Sequence, residues 1–163
     1  AIQISAEQGQ DRYDDLHDGV GGEFAFPSER LALSTSTTAL LIGDAERAEA
    51  NAQRALVLLA QRPQKAQSAH VRAGAAADLA YARLLADDVD GATDALTPVW
   101  EVPAEHRQTG IVVRTARIAR YLARPVYHGA AVAASLRDQI EEFNRVSPPH
   151  RIGPHVGLLA IEG

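Results

Sequence analysis

Two segments of this chain are variations on one pattern set 44 residues apart: Leu40-Leu41-Ile42-Gly43-Asp44-Ala45-Glu46-Arg47-Ala48 and Leu84-Leu85-Ala86-Asp87-Asp88-Val89-Asp90-Gly91-Ala92. Each reads as an apolar helix end, a two-residue acidic turn and an alanine-rich helix start. No single helical hairpin buries its own apolar stripe, so a recurring hairpin implies stacked neighbours. The expected fold is therefore all-α.

Composition agrees. Hydrophobic residues make up 46% of the 163, aromatics only 5%, and alanine is the largest single share of the rest. Small side chains and the strongest helix former suit closely packed helices, and runs of Val, Ile, Thr and aromatics that would mark strands are missing. A net charge of −5 argues against the whole chain binding nucleic acid. Without cysteine there is no disulfide framework, thiolate metal site or cysteine nucleophile. No apolar run approaches a membrane span, and no signal peptide is visible. The chain starts at Ala1 and contains no methionine, which reads as a processed or excised piece of something longer. Ile161-Glu162-Gly163, native or the stub of a protease site, is left out of the fold reading.

Local signals divide the chain into an N-terminal helix end and loop (1–27), a helical-repeat domain (28–146) and an irregular tail (147–163). The polar stretch Gly9 to Gly22 reads as loop, and Phe24 and Phe26 are placed to plug a helix end. Ser28 is the expected N-cap of a helix over 28–42, and Asp44 caps a second over 45–60 through Ala45, Ala48, Ala52, Ala55, Leu56 and Leu59. A third helix is expected over 65–86, with Ala69, Ala73, Ala76, Leu79, Ala80 and Leu84 inward. Asp88 or Asp90 caps a fourth over 89–100, which Pro98 shortens or kinks. The fifth covers 104–123, with Val112, Thr115, Ala119 and Leu122 on one side, and the sixth 128–144. Gly129-Ala130 echoes Gly91-Ala92 at an offset of 38. That gives about three hairpins in a short right-handed, tetratricopeptide-like solenoid, with a unit longer than the standard repeat.

Residues 20–145 resemble the tetratricopeptide-type C-terminal region of actinobacterial transcriptional regulators that carry a Cro/repressor-type helix-turn-helix at the N-terminus. The resemblance rests on Gly21-Gly22-Glu23-Phe24-Ala25-Phe26-Pro27, Leu41 to Ala48, Asp78 to Leu85, Leu96 to Trp100 followed by Pro103-Ala104-Glu105-His106-Arg107, and Tyr127-His128-Gly129 ahead of Leu136 and Ile140-Glu141-Glu142-Phe143. It implies a cytoplasmic sensor or interaction half of a regulator, binding a peptide or protein, not an enzyme, without cofactor. It implies contact with DNA only through a separate module that this chain lacks, and no membrane. A homo-oligomerisation scaffold without a small ligand, such as a homodimer, is the alternative.

Two candidate constellations stand out. Arg107, Arg114, Arg117, Arg120 and Arg124 recur mostly at spacings of three, four or seven, which puts several guanidinium groups on one side of a helix. In a groove they suit a carboxylate or phosphate; on a solvated face they would pair with Glu141 and Glu142. In the repeat register the groove-facing positions are Arg30, Thr37, Tyr81 and Arg120, a set that suits a peptide or acidic ligand, unless Tyr81 is packed core. Other motifs fail on spacing. Asp11, Asp14, Asp15 and Asp18 lack the calcium-loop pattern, and His150 and His155 lack further metal ligands. Gly21-Gly22-Glu23-Phe24 is a cyclase-like fragment by chance, and His70, His106 and His128 sit near helix starts, where such residues solvate or cap. No nucleophile or acid–base constellation is present.

Overall fold

A computed structural model describes residues 26–148, and these form helices joined by short turns, with no strand among them. Helix α1 (Ser28–Leu41) turns into α2 (Ala45–Ala60), and α3 (Ala69–Leu85) turns into α4 (Val89–Ala95) and the one-turn α5 (Thr97–Trp100). Helix α6 (Thr109–Leu122) is followed by α7 (Ala131–Arg145). Tight 3-10 turns occupy Gln64–Ala66, Ala104–His106 and Pro125–Tyr127.

The two acidic turns are the same structure. Asp44 N–H donates to the Ala39 carbonyl and Asp88 N–H to the Arg83 carbonyl, both at 2.9 Å. The residue before each aspartate is left-handed, Gly43 at φ 79° and Asp87 at φ 60°. Each aspartate then caps the next helix, Asp44 accepting from Arg47 N–H at 3.0 Å and Asp88 from Gly91 N–H at 2.8 Å. The third left-handed residue is Gly129, at φ 87°, one position before the N-cap of α7. Gly129 is thus the counterpart of Gly43 and Asp87. The expected match of Gly129-Ala130 to Gly91-Ala92 is off, because Gly91 lies inside the first turn of α4.

Several helix starts fall later than the sequence suggests. Helix α3 begins at Ala69 rather than 65, and α6 at Thr109 rather than 104. Pro63 and Pro103, 40 residues apart, each open a 3-10 turn. An extended residue, Gln67 or Arg107, then leads into the N-cap, Ser68 or Gln108. The turn Pro125–Tyr127 and Gly129 likewise delay α7 to Ala131. Ser28 is not a cap: it lies within α1, and the Pro27 carbonyl accepts from Arg30 and Leu31 N–H without any side-chain cap. Ala69, expected inward, is exposed at the end of α3. The 89–100 helix is interrupted at Leu96, two residues before Pro98, whose missing N–H leaves the Asp94 carbonyl to the Thr97 hydroxyl at 3.0 Å.

The starts of α1, α3 and α6 are thus 41 and 40 residues apart, while the first two left-handed turn residues are 44 apart. The difference lies in α3, which has 17 residues where α1 and α6 have 14. Helix α3 is also the centre of the packing. It touches α1, α2, α4, α5 and α6, and every residue from Ala73 to Ala80 is buried. A helix surrounded in this way needs small side chains for neighbours to approach, and the alanines of α3 supply them. Larger anchors come mostly from the other side of the core: Ile111, Ile118 and Leu122 of α6, Leu136, Ile140 and Phe143 of α7, with Leu96 and Val99; Leu84 adds one from α3 itself. On α6 the buried stripe is Ile111, Thr115, Ile118 and Leu122, so Val112 and Ala119 are only half-buried.

Candidate functional site

Helices α1 and α6 both pack on α3, and one guanidinium ties the three together. Arg114 of α6 donates from Nε to Asp78 Oδ1 on α3 at 3.0 Å and from Nη2 to the Thr37 hydroxyl on α1 at 3.0 Å. Its Nη1 donates to the Gly110 carbonyl one turn back at 3.1 Å. The Thr37 hydroxyl in turn donates to Asp78 Oδ2 at 2.6 Å and lies 3.0 Å from the Leu33 carbonyl. Two glycines flank the arginine. A Cβ on Gly110 would stand 3.4 Å from Arg114 Nη1, and one on Gly74 would stand 3.9 Å from its Nε.

The Asp78 side chain is 2% exposed and that of Arg114 20%. Burial pushes the Asp78 carboxyl above its ordinary value, while the Arg114 guanidinium and the Thr37 hydroxyl act in the opposite direction. Above this network lies a groove of about 660 Å³, lined by Arg30, Ser34, Thr37, Thr38, His70, Arg114 and their neighbours, with no acidic residue on its wall among the described residues. Burial lowers the pKa of His70, and the charges of Arg114 and Arg30 lower it further. Its Nδ1 is buried without a hydrogen-bond partner among the described residues.

The structure gathers some of the expected residues and separates others. Arg30, Thr37 and Arg114 share the groove. Tyr81 and Arg117 lie one turn further along: the guanidinium of Arg117 stands 5.2 Å over the Tyr81 ring, which meets Tyr121 edge-on at 5.6 Å. Tyr81 is half-buried and packs against the core. Arg120 is exposed and takes no part in either arrangement. The arginine stripe is shorter than its spacing suggests. Arg107 precedes α6, stacks 3.8 Å over the Phe143 ring and donates to the Phe143 carbonyl at 3.0 Å. Arg124 lies past the end of α6, over Tyr121 at 4.6 Å. Glu141 and Glu142 pair with Arg137 and Arg145 of their own helix rather than with α6. The expected site set lacks His70, on the groove wall, and Asp78, beneath its floor. A lone carboxylate within the inward run Ala75-Ala76-Ala77-Asp78-Leu79-Ala80 was the available signal. Phe26 is described and lines the groove, while Phe24, the 9–22 stretch, His150 and His155 lie outside the described residues.

A second, apolar groove of about 910 Å³ runs along the outer side of α7, lined by Trp100, Arg107, Ala131, Ala134, Phe143 and Val146 among others. Trp100 and Phe143 meet edge-on at 5.4 Å beneath it.

No family model matches the chain, and comparison with curated proteins and with solved structures found no match. Among the described residues no helix is long and apolar enough to cross a membrane.

Proposed function

We propose that this chain is a tetratricopeptide-like binding domain, a short right-handed stack of three hairpins, that holds a peptide or protein on the face made by α1, α3 and α6. The observation carrying this reading is the groove itself, whose polar floor is held across three helices by Arg114. A framework fixed in this way presents side chains without ordering them on binding. In the regulator that the sequence resembles, the bound ligand would bias the packing between hairpins and so an attached DNA-reading module. The chain acts by binding and not by catalysis, in the cytoplasm.

Selection of peptides from a random displayed library against the immobilised domain tests this. Selected peptides should lose binding when Ser34, exposed on the groove wall, is changed to Trp. Peptides that bind the blocked variant as well as the original chain would show that the groove is not the binding face.

The apolar groove on α7 favours a second reading, a homodimerisation scaffold. Ala131 and Ala134 let another helix approach, and Val132 on the same helix is 48% exposed. Sedimentation across a hundredfold dilution decides it: a strict monomer at every concentration rules the dimer out.

A further inference from the structure

We propose that Arg30, His70 and Arg114 form a subsite for one acidic group, a carboxylate or phosphate, of whatever occupies the α1–α3–α6 groove. The inference rests on the reading of that groove as a binding face.

The chemistry of the wall is one-sided. The chain as a whole carries a net charge of −5, yet among the described residues the groove lining holds two arginines, a histidine, four hydroxyl side chains (Ser34, Thr37, Thr38, Ser68), and no carboxylate. Asp78 sits beneath the floor, with Arg114 and Thr37 between it and the groove, and its two oxygens are taken up by those residues. Arg114 spends one N–H from each of its three nitrogens on Asp78, Gly110 and Thr37. A guanidinium has five, so two remain, and they are held in a fixed direction by the other three. Arg30 is exposed and makes no ion pair among the described residues. His70 sits within reach of the fields of both arginines and has a ring nitrogen without a partner among the described residues. An acidic group placed among the three would meet the guanidinium groups of α1 and α6 beside the His70 ring of α3, in a partly buried setting where charge-assisted hydrogen bonds are strong. A neutral or cationic group would meet two positive charges and no acceptor of matching charge.

The test uses the whole chain with two probes, inorganic phosphate and the acetylated tripeptide of glutamate, followed by the ring signals of His70 in NMR spectra. Saturable shifts of the His70 ring, with an upward move of its titration midpoint when the probe is bound, are expected. Phosphate alone acting would assign the subsite to phosphate, and the glutamate peptide alone to carboxylate. Arg30→Ala should weaken the effective probe by about tenfold or more with the helical circular dichroism unchanged, and Arg30→Lys should restore part of the loss. Shifts that do not saturate, or that are the same in Arg30→Ala, mean an adventitious ion only and overturn the proposal. The groove reading fails separately. Library peptides that are blocked by Ser34→Trp but bind Arg30→Ala normally leave the groove in place and remove the acidic subsite. Probes that act on His70 while no library peptide binds leave the subsite and remove the peptide.

Discussion

Arg114 and Asp78 lie 3.0 Å apart across the α6–α3 interface, and the same guanidinium reaches Thr37, 77 residues away in the chain. Removing the arginine would strand a carboxylate that is 2% exposed. Arg114→Ala should therefore cost about 3 kcal/mol in urea unfolding, the usual consequence of breaking a buried pair by deleting one partner. Thr37→Val should cost about 1 kcal/mol, and the two losses should not add, since both groups meet on Asp78. Arg120→Ala is the control, exposed and outside the network. Equal losses for Arg114→Ala and Arg120→Ala would mean that the three-helix tie contributes nothing to stability.

The left-handed residues give opposite predictions at equivalent turns. Gly43→Ala places a Cβ at φ 79° and should lower stability by about 1 kcal/mol. Asp87→Gly relieves the same conformation at φ 60° and should raise stability by about 0.5 kcal/mol. The gain is limited because Asp87 also receives a long hydrogen bond from the Tyr127 hydroxyl, at 3.4 Å. Thermal unfolding of the two variants should move in opposite directions.

Gly91 looks like a place where alanine would improve a helix, and the geometry says otherwise. A Cβ there would collide with the carboxylate of Asp88, the group that caps α4. Losing that cap costs about 1 kcal/mol, enough to cancel the propensity gain of about the same size. Gly91→Ala should leave the melting temperature unchanged or lower, and a rise of several degrees would show that Asp88 caps equally well from another position.

Acid dependence follows from two groups shifted in opposite senses. His70 has its pKa lowered by burial first, then by Arg114 and Arg30. The folded state thus prefers the neutral ring: its stabilising contribution is present above pH 6.5 and lost as pH falls through the lower folded value. Asp78 is raised, chiefly by burial. Its contribution is present below pH 3.8 and lost as pH rises through the higher folded value. His70→Gln should accordingly flatten the stability profile below pH 6.5 without altering the Asp78 limb. An unchanged slope on that acidic side would remove His70 from the account.

Much of this architecture was legible from residue order. The turns at Gly43-Asp44 and Asp87-Asp88 could be read because each feature there is local: an apolar helix end, a left-handed residue and a capping carboxylate. The helix starts were harder. Gln64–Ala66 and Ala104–His106 carry helix-forming residues, and only the prolines before them select a 3-10 turn with an extended step after it. For the site, Arg30 and Thr37 could be placed on the groove by repeat register, and Arg114 on an arginine stripe by its spacing along one helix. Asp78 could not, because its role depends on an arginine 36 residues later, and Arg120 was misplaced because its exposure depends on how α6 is rotated against α3.

The alanines of α3 have a consequence for how such a molecule can change. A helix that meets α1, α2, α4, α5 and α6 through methyl groups has no slack for a larger side chain, since added volume displaces several partners together. Outer surfaces such as the exposed side of α7 can drift one residue at a time. The central helix can change only through concerted replacements on several neighbours. Grafting a new specificity onto this framework should start from the solvent-facing positions of α1 and α6 and leave α3 untouched.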